Sequence, residues 1–531
     1  MRDPPPGETL AALLRLAGLR DCREEGGGVV YCRAGAGEGI RAAARLHEDS
    51  GCRLTTCLAY DYRLVDGSFH VVYVFDCPRL GRYIDIDIAV SDSSIDSLAA
   101  VLETMQCKWC EWEIRDLYGI GFRGHPGRGR LVLPDSWPED YHPLRKDAPS
   151  RPPRLERPAR RRARGPGLPL GPYHPALHEP EYFELEVEGE RVKGVRYRGF
   201  FVYRGIEKLA EDRFRAEQVP FLAERICGIC GFVHSTTYCM AFERAVGIEV
   251  PERAKYLRSM LLEIERIHSH LLCTAVMLHA AGYDTGFMQL MAVREEVMSV
   301  AEELTGNRKT YSANTPGGVR IDPDDSLVRE AVERVSRAAE KAVKLARSFL
   351  EVSEVYTRLE GVGVLGRRDA WRHGALGPVA RASGIDVDVR RDHPYAAYGS
   401  LEFEVPVRDE GDCLARYLLR LDEVLESASI LRQIARSIPR GPVVNRDYDY
   451  AELRVGQAAS EAPRGECIHY VITGVSGRLW RWKVRAPSYN NIPLLELMLK
   501  GYLVADAPVI ISSIDPCFSC TDRLIRVKRV G

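Results

Sequence analysis

The sequence predicts a multidomain chain in which an α+β domain at the N-terminus precedes a mainly α-helical domain. Three observations carry this. At 531 residues the chain is longer than one hydrophobic core serves, so two or three domains are expected. Within the first 147 residues, Ser68-Phe69-His70-Val71-Val72-Tyr73-Val74-Phe75 is a β-branched and aromatic run that reads as a strand. Beyond residue 165 apolar residues recur over long stretches at steps of three and four, the spacing of a helix face.

Taken in order, residues 1–147 form the α+β domain. Gly26-Gly27-Gly28 reads as a turn, and Ser94 to Met105 as a helix. Residues 148–167 read as a linker. Its segment from Arg151 to Arg164 carries seven arginines and one glutamate, and its prolines keep it extended, so it cannot bury a core. The functional alternative is a basic strap on an acidic partner or on anionic lipid headgroups. Residues 168–531 form the second domain. A β-like segment from Tyr182 to Tyr203 leads into helices. Pro251 suits the first position of a helix over Glu252 to His279, where Leu257, Met260, Leu261, Ile264, Ile267, His268, Leu271 and Leu272 share one face. A second helix follows Pro323-Asp324-Asp325-Ser326 to about Leu359, and a third spans Asp412 to Ser437, together a helix-bundle core.

Composition narrows the function. Lys+Arg (74) and Asp+Glu (75) nearly cancel, which argues against a nucleic-acid partner. No run of about 18 apolar residues appears, and Met1-Arg2-Asp3-Pro4 lacks the apolar core of a signal peptide. Membrane association is therefore expected to come through partners. An odd count of 15 cysteines without a signal peptide points to thiols in a reducing compartment. Cys22, Cys32, Cys52, Cys57, Cys77, Cys239, Cys273, Cys413 and Cys467 are isolated and read as small buried hydrophobes. Cys107-Lys-Trp-Cys110 has no second pair near it and reads as structural.

The other two pairs carry chemistry. Arg225-Ile-Cys227-Gly-Ile-Cys230-Gly-Phe-Val-His234 opens a helix, and Ile514-Asp515-Pro516-Cys517-Phe-Ser-Cys520-Thr-Asp-Arg523 lies almost at the C-terminus. Four thiolates can wrap one metal centre, generically a four-cysteine zinc site or an iron–sulfur cluster. A zinc ribbon sets its pairs tens of residues apart. These stand 290 apart, more typical of an enzyme centre buried in a core. Thiolates also suit soft or borderline metals, and nickel in such surroundings is redox-capable.

From about residue 168 to the end, the two motifs resemble the cysteine signatures of nickel–iron hydrogenase large subunits. The resemblance implies a nickel–iron centre with carbon monoxide and cyanide on iron, Cys227 and Cys517 terminal on nickel, and Cys230 and Cys520 bridging to iron. Glu461-Ala-Pro463-Arg464-Gly465 resembles the loop that places an arginine over the open metal position, and Arg485-Ala-Pro487-Ser488 the segment whose serine donates to a cyanide. Asp515 is implied to hold Arg464. His174-Pro-Ala-Leu-His178-Glu179-Pro180 resembles the start of the family core, which makes Glu179 the proton gate. Arg204-Gly205-Ile206-Glu207 matches an element whose glutamate joins a C-terminal histidine around magnesium. Here Arg523 stands in the histidine's place, and arginine cannot ligate a cation. A Glu207–Arg523 salt bridge doing the same stitching is the alternative to magnesium. His234 is implied to face the nearest iron–sulfur cluster of a small subunit.

The first domain narrows the resemblance. Trp112-Glu113-Ile114-Arg115-Asp116-Leu117-Tyr118-Gly119-Ile120, Gly124-His125-Pro126 and His142-Pro143-Leu144-Arg145-Lys146-Asp147 resemble the 30 kDa subunit of respiratory complex I. Arg381-Ala-Ser-Gly384, Pro394-Tyr395, Glu402-Phe403-Glu404-Val405-Pro406 and Gly411-Asp412 resemble its 49 kDa subunit. The fusion resembles the group 4 hydrogenases, with an architecture like that of the formate hydrogenlyase large subunit. This implies reversible reduction of protons to H2, with electrons from a partner iron–sulfur subunit that holds the [4Fe-4S] clusters. It further implies complex I-like membrane subunits, a donor module (formate dehydrogenase, carbon monoxide dehydrogenase or ferredoxin) and a cytoplasmic position on the inner face of the membrane. Its rival is a fused 30/49 kDa-type subunit of an NADH:quinone oxidoreductase-like complex without nickel. In relatives a C-terminal extension is cut after the last metal motif; here residues 524–531 are either that extension or a tail that is kept.

Overall fold

The computed structural model describes residues 10–149 and 167–522, apart from 175, 176 and 178. The readings placed on residues 150–166, on His178, on Arg523 and on the tail after it lie outside the described residues. The chain divides into two compact units. The first is Met1–Pro166 with Arg198–Phe200 and Arg372–Gly374; the second is Gly167–Tyr197, Phe201–Trp371 and Ala375–Gly531.

The first unit is built on a five-stranded sheet whose spatial order is Asp21–Glu25, Val29–Ala34, Arg82–Val90, Ser68–Cys77, Arg53–Tyr62. Gly27 and Gly28 take positive φ (78° and 76°) and close the hairpin between the first two strands, as the glycine run predicts. Ser94 to Met105 departs from its helical reading. Ser94–Asp96 is a strand paired in parallel with Gly121–Arg123, Ala99–Leu102 is a single helical turn, and the long helix begins only at Met105 and runs to Tyr118. Pairing with a strand 25 residues away overrides local preference there.

The four cysteines at 22, 32, 52 and 77 are corrected from thiols to two disulfides, Cys22–Cys32 and Cys52–Cys77. Register makes them. Cys22 lies directly opposite Cys32 in the first hairpin, and Cys52 and Cys77 flank the Arg53↔Asp76 pair, with Cα atoms 4.1 and 4.4 Å apart. The argument for a reducing compartment loses these four residues. Cys57, Cys107 and Cys110 are buried thiols outside these disulfides.

One face of this sheet buries a polar knot. His70 Nδ1 lies 2.8 Å from Asp87 Oδ1 and its Nε2 2.9 Å from Asp66 Oδ2, while the Tyr31 and Tyr60 hydroxyls both donate to Asp87 Oδ2. Burial alone would lower the histidine, but Asp87 and Asp66 outweigh it and raise His70 above the ordinary value. A histidine raised in the folded state stabilises fully below its unfolded pKa, near 6.5, and loses that contribution as pH rises through the folded pKa. The stability advantage of the native protein over His70→Gln is therefore expected to shrink as pH rises above about 6.5. Urea midpoints followed by a probe in this unit would show it; a pH-independent difference would contradict it.

In the second unit, Glu252–Ala280, Asp284–Thr305, Asp325–Ser348 and Cys413–Ser437 form a four-helix bundle, each packed on the next around the ring. Pro251 is the residue just before the first of these helices. Asp324 and Asp412 cap the third and fourth by accepting from backbone N–H groups, respectively of Ser326 and Leu327 and of Ala415. The helix read as continuing to Leu359 stops at Ser348. A 3₁₀ turn and an extended Val352 (φ −78°, ψ 112°) separate it from Ser353–Leu359.

The mainly helical description covers only part of this unit. Tyr182–Glu188 and Arg191–Arg198 form the anticipated β segment. An unanticipated antiparallel sheet, Val455–Ala462, Gly465–Thr473 and Leu479–Arg485, carries Gly231–Val246 on its face. The hairpin between its first two strands is only two residues, Pro463-Arg464, with Ala462 opposite Gly465. Gly465 (φ 120°) and Gly377 (φ 57°) touch back to back there; a Cβ on Gly465 would come within 2.5 Å of the Gly377 nitrogen. Behind the hairpin, Arg381 pairs with Glu423 (2.8 Å) and Glu461 (2.9 Å), and Arg266 donates to the carbonyls of Glu461 and Ala462 (2.7 and 3.3 Å). All these side chains are buried, so the network fixes the hairpin rather than merely decorating it. Among the described residues no helix is long and apolar enough to cross a membrane.

Candidate metal centre

The two Cys-x-x-Cys segments meet in the second unit. Cys227 Sγ lies 3.3 Å from Cys517 Sγ, and Cys230 Sγ lies 3.8 Å from Cys520 Sγ. First cysteine thus faces first, and second faces second. All four are buried. Cys230 sits just before the 16-residue helix Gly231–Val246, so both sulfurs of this pair lie near the positive end of a helix. The backbone N–H groups of Ile229 and Cys230 donate to Cys227 Sγ, each at 3.2 Å. Glu265, from the long helix, accepts from Phe232 N and Val233 N at 2.8 and 2.9 Å and fixes where that helix begins.

Arg204 ties the two segments together. Its guanidinium donates to the carbonyls of Arg225 (2.9 Å), Ile226 (2.6 Å) and Ser519 (3.1 Å). The sequence singled out the Arg204–Glu207 element, but for a cation; the arginine's stapling role depends on contacts 22 and 315 residues away.

Charge at the cluster is one-sided. Burial raises Cys227, yet hydrogen bonds from the other three thiols and the Arg464 charge bring it well below the ordinary thiol range. Cys230 and Cys517 are pushed well above it, first by their hydrogen bonds to Cys227; Cys520 is pushed up by burial and then by its neighbours. Four thiols enclosed this way resist giving up their protons together, and a bound cation is what would let them do so. The donor set, soft, buried and prepared by N–H donors and a guanidinium, fits a nickel–iron centre. It also has more sulfur than a site for a hard cation would use.

Arg464 is held from three directions. Nε donates to Asp515 O (2.7 Å), Nη2 to Asp515 Oδ1 (2.7 Å), and Nη1 to Ser269 Oγ (3.2 Å). Asp515 reaches it because its backbone is left-handed (φ 53°), which aspartate tolerates better than most residues. Asp515 and the three thiols at 227, 230 and 517 raise the buried guanidinium well above the ordinary arginine range, against burial, which lowers it. Ser488 Oγ accepts from Cys517 N at 3.0 Å, which leaves its own O–H to donate. Each of these residues was named from sequence; Ser269 was not, since nothing local marks it.

Glu179 reaches the residues between two of these cysteines from outside the bundle. Its Oε2 accepts from Ser519 N at 2.8 Å and its Oε1 from the Ser519 hydroxyl, between Cys517 and Cys520. Next to it lies a pair that sequence reasoning missed. Glu181 is fully buried and accepts from Tyr197 OH (2.7 Å). Burial, then the charge of Asp522, pushes it up to about 11, so it holds a proton at neutral pH. Asp522 accepts from Val202 N (2.8 Å) through its side chain and from Arg204 N (3.0 Å) through its carbonyl.

Two more of the residues named from sequence find partners in the second unit. Glu207 is buried, but its partner among the described residues is Arg481 (2.9 Å), and its second oxygen accepts from Val484 N (3.0 Å). Arg481 was invisible as a partner because it lies 274 residues away, on the sheet that the sequence did not announce. His234, expected to face a partner's cluster, is 1% exposed and lies with its Nδ1 3.1 Å from His469 Nε2. A His234 ring nitrogen and the sulfurs of Cys230 and Cys520 lie within 4.8 Å of one another.

Known proteins match these features domain by domain. Residues 36–154 match the family model described as the respiratory-chain NADH dehydrogenase 30 Kd subunit. Residues 280–458 and 452–523 match that of the 49 Kd subunit, and residues 204–316 match nickel-dependent hydrogenase. The chain is 39% identical to formate hydrogenlyase subunit 5 of Escherichia coli over 90% of this chain and 86% of that protein. It is also 39% identical to hydrogenase-4 component G of the same organism, over 88% and 83%. Among solved structures it is similar to a chain of the membrane-bound sulfane sulfur reductase, an archaeal respiratory membrane complex. There the TM-score is 0.63 and the identity 34%, over 67% of this chain and 98% of that one.

Proposed function

The chain belongs to the large subunits of the complex I-related, group 4 nickel–iron hydrogenases, with a 30 kDa-like domain fused ahead of a 49 kDa-like one, and on that premise we propose that it reduces protons to H2 reversibly, 2H⁺ + 2e⁻ ⇌ H2. The observation that carries the reading is the four-sulfur cluster with first facing first and second facing second. Family membership alone does not choose the chemistry, since a sulfane sulfur reductase shares the fold. The four cysteines support hydrogen chemistry.

Cys227 and Cys517 would hold nickel, and Cys230 and Cys520 would be the thiolates it shares with iron. The nickel–iron centre, with carbon monoxide and cyanide on the iron, supplies the redox-active site at which protons and electrons combine. Arg464, its guanidinium immobilised by Asp515 and Ser269, would donate to a cyanide of the centre and stabilise charge developing beside it. Ser488, which accepts from Cys517 N, would have its O–H left to donate to a cyanide of the centre. Glu179, seated on Ser519 beside Cys517, would take and return protons there, and Glu181, which burial and Asp522 keep protonated, would be the next carrier. Glu207 pairs with Arg481.

Electrons arrive from a partner iron–sulfur subunit carrying [4Fe-4S] clusters. The complex sits on the inner face of the membrane through complex I-like subunits, fed by formate dehydrogenase, carbon monoxide dehydrogenase or ferredoxin. A nickel-free quinone-type subunit is the second reading, favoured by the 30 and 49 Kd family matches. Nickel analysis and H2 evolution from a reduced low-potential dye, measured on the purified complex, separate the two. Nickel-free protein without H2 evolution would leave only the second.

The proton gate has its own expected result. Glu179→Gln keeps an acceptor for Ser519 but cannot carry a proton. H2 evolution should fall about 10²- to 10⁴-fold, the usual weight of a positioned acid–base group, with nickel content unchanged. Unaltered turnover would move the gate elsewhere.

A further inference from the structure

A third buried group stands beside the four cysteines. Ring nitrogens of His234 and His469 and the sulfur of Cys467 lie within 4.8 Å of one another. Spacing alone would suit a metal ion, but the hydrogen bonds argue for something else. Trp482 Nε1–H can only donate, so at 3.2 Å from His469 Nδ1 it makes that nitrogen an acceptor. Burial, with His234 adding to it, takes His469 well below the ordinary histidine range, so the ring is neutral and its proton is on Nε2.

His469 Nε2–H then faces His234 Nδ1 at 3.1 Å and donates to it. Cys467 Sγ, 3.6 Å from the same nitrogen, is a thiol that burial pushes up to about 12; as a donor it too would leave Nδ1 an acceptor. A nitrogen that carries a proton cannot ligate a cation, so His469 Nε2 is not free to do so. With Nδ1 of His234 accepting, its remaining ring proton is on Nε2.

We propose that Trp482 and His469 are positioning residues that fix the tautomer of His234, so that its Nε2–H is offered to the thiolates of Cys230 and Cys520. This rests on the reading of those cysteines as the bridging thiolates. The chain of donors runs one way because it begins at a group with no lone pair to give, and three elements hold it. Trp482 and His469 lie on adjacent strands of one sheet, with Val484 opposite His469 and Val471 opposite Trp482. His234 is in the first turn of the helix laid across that sheet. A hydrogen bond to a metal thiolate draws charge from the sulfur and shifts the electron density and potential of the centre. His469 and Trp482 would act on the metal only through His234.

The test is nitrogen NMR of the full chain with ¹⁵N-labelled histidine rings, metal-free and metal-loaded, the signals assigned by single substitutions. Both rings are expected as single Nε2–H tautomers. In Trp482→Phe, His469 should lose its single-tautomer signature, and His234 should follow. The infrared bands of carbon monoxide and cyanide in the purified complex should also shift at unchanged nickel content. An Nδ1–H signature on either ring of the native chain, or tautomers and bands unmoved in Trp482→Phe, would overturn the proposal. Should Trp482→Phe fail to fold, the native signatures alone decide. Absence of nickel from the native complex would refute the metal reading instead, and the metal-free tautomers would still report on the chain.

Discussion

Replacing Cys517 with serine is expected to remove nickel from the protein and to reduce H2 evolution to that of a nickel-free preparation. Cys517 is one of four sulfurs in an enclosed cluster, 3.3 Å from Cys227, with Ser488 accepting from its backbone N–H. Serine keeps the size and the backbone contacts but offers a hydroxyl that does not ionise near neutral pH and a hard oxygen in place of a soft thiolate. The three remaining thiols cannot make up the charge, because metal affinity depends on ligands that deprotonate. Cys107→Ser is the matched control. Cys107 is equally buried in the first unit, where it faces Glu111 (3.9 Å), and its loss should leave nickel and turnover unchanged. Nickel by mass spectrometry and H2 by gas chromatography, on both variants, check the pair. Full nickel in Cys517→Ser would remove that residue from the ligand set.

Arg464→Lys is expected to retain nickel and yet slow H2 evolution about 10²- to 10³-fold, the loss that follows removal of one fixed donor aimed at developing charge. The guanidinium spends three N–H groups on Asp515 O, Asp515 Oδ1 and Ser269 Oγ, and that leaves its remaining donors fixed in direction. A lysine ammonium carries the charge on a flexible stem and cannot reproduce a planar fork. The hairpin itself should survive. It is secured by Arg266 and Arg381 on the Glu461 side and by the Gly377–Gly465 contact, none of which the substitution touches. Activity within a few-fold of native, at equal nickel content, would show that the charge suffices without the geometry.

The cysteine pairs were legible from their spacing, whereas Arg464, Ser488, Asp515 and Glu179 were named only because their segments resemble those of a known family; the structure brings Arg464, Asp515 and Ser488 to the pairs and seats Glu179 on Ser519 between two of the cysteines. The bundle helices were legible for a similar reason: a helix face repeats within a few residues. The strands Val455–Ala462 and Gly465–Thr473 were not. They are buried almost throughout, so their burial does not alternate, and Gly456-Gln457-Ala458-Ala459-Ser460 has little of the β-branched character that marks a strand. What that sheet contributes was hidden with it: His469, Trp482 and Arg481 all reach residues more than 230 positions earlier in the chain or act through one that does. The two disulfides were hidden by register. Spacing alone did not place Cys22 opposite Cys32, and an odd total of cysteines pointed the other way. Glu181 could not be foreseen as a proton holder, because its burial and the nearness of Asp522 depend on two ends of the domain meeting.

The infrared spectrum of the purified complex tests the central claim most directly. A nickel–iron centre held by Cys227, Cys230, Cys517 and Cys520 predicts carbon monoxide and cyanide stretching bands that accompany stoichiometric nickel and iron and vanish in Cys517→Ser. A pure complex with its partner subunits fully incorporated, and with neither those bands nor nickel, would contradict it.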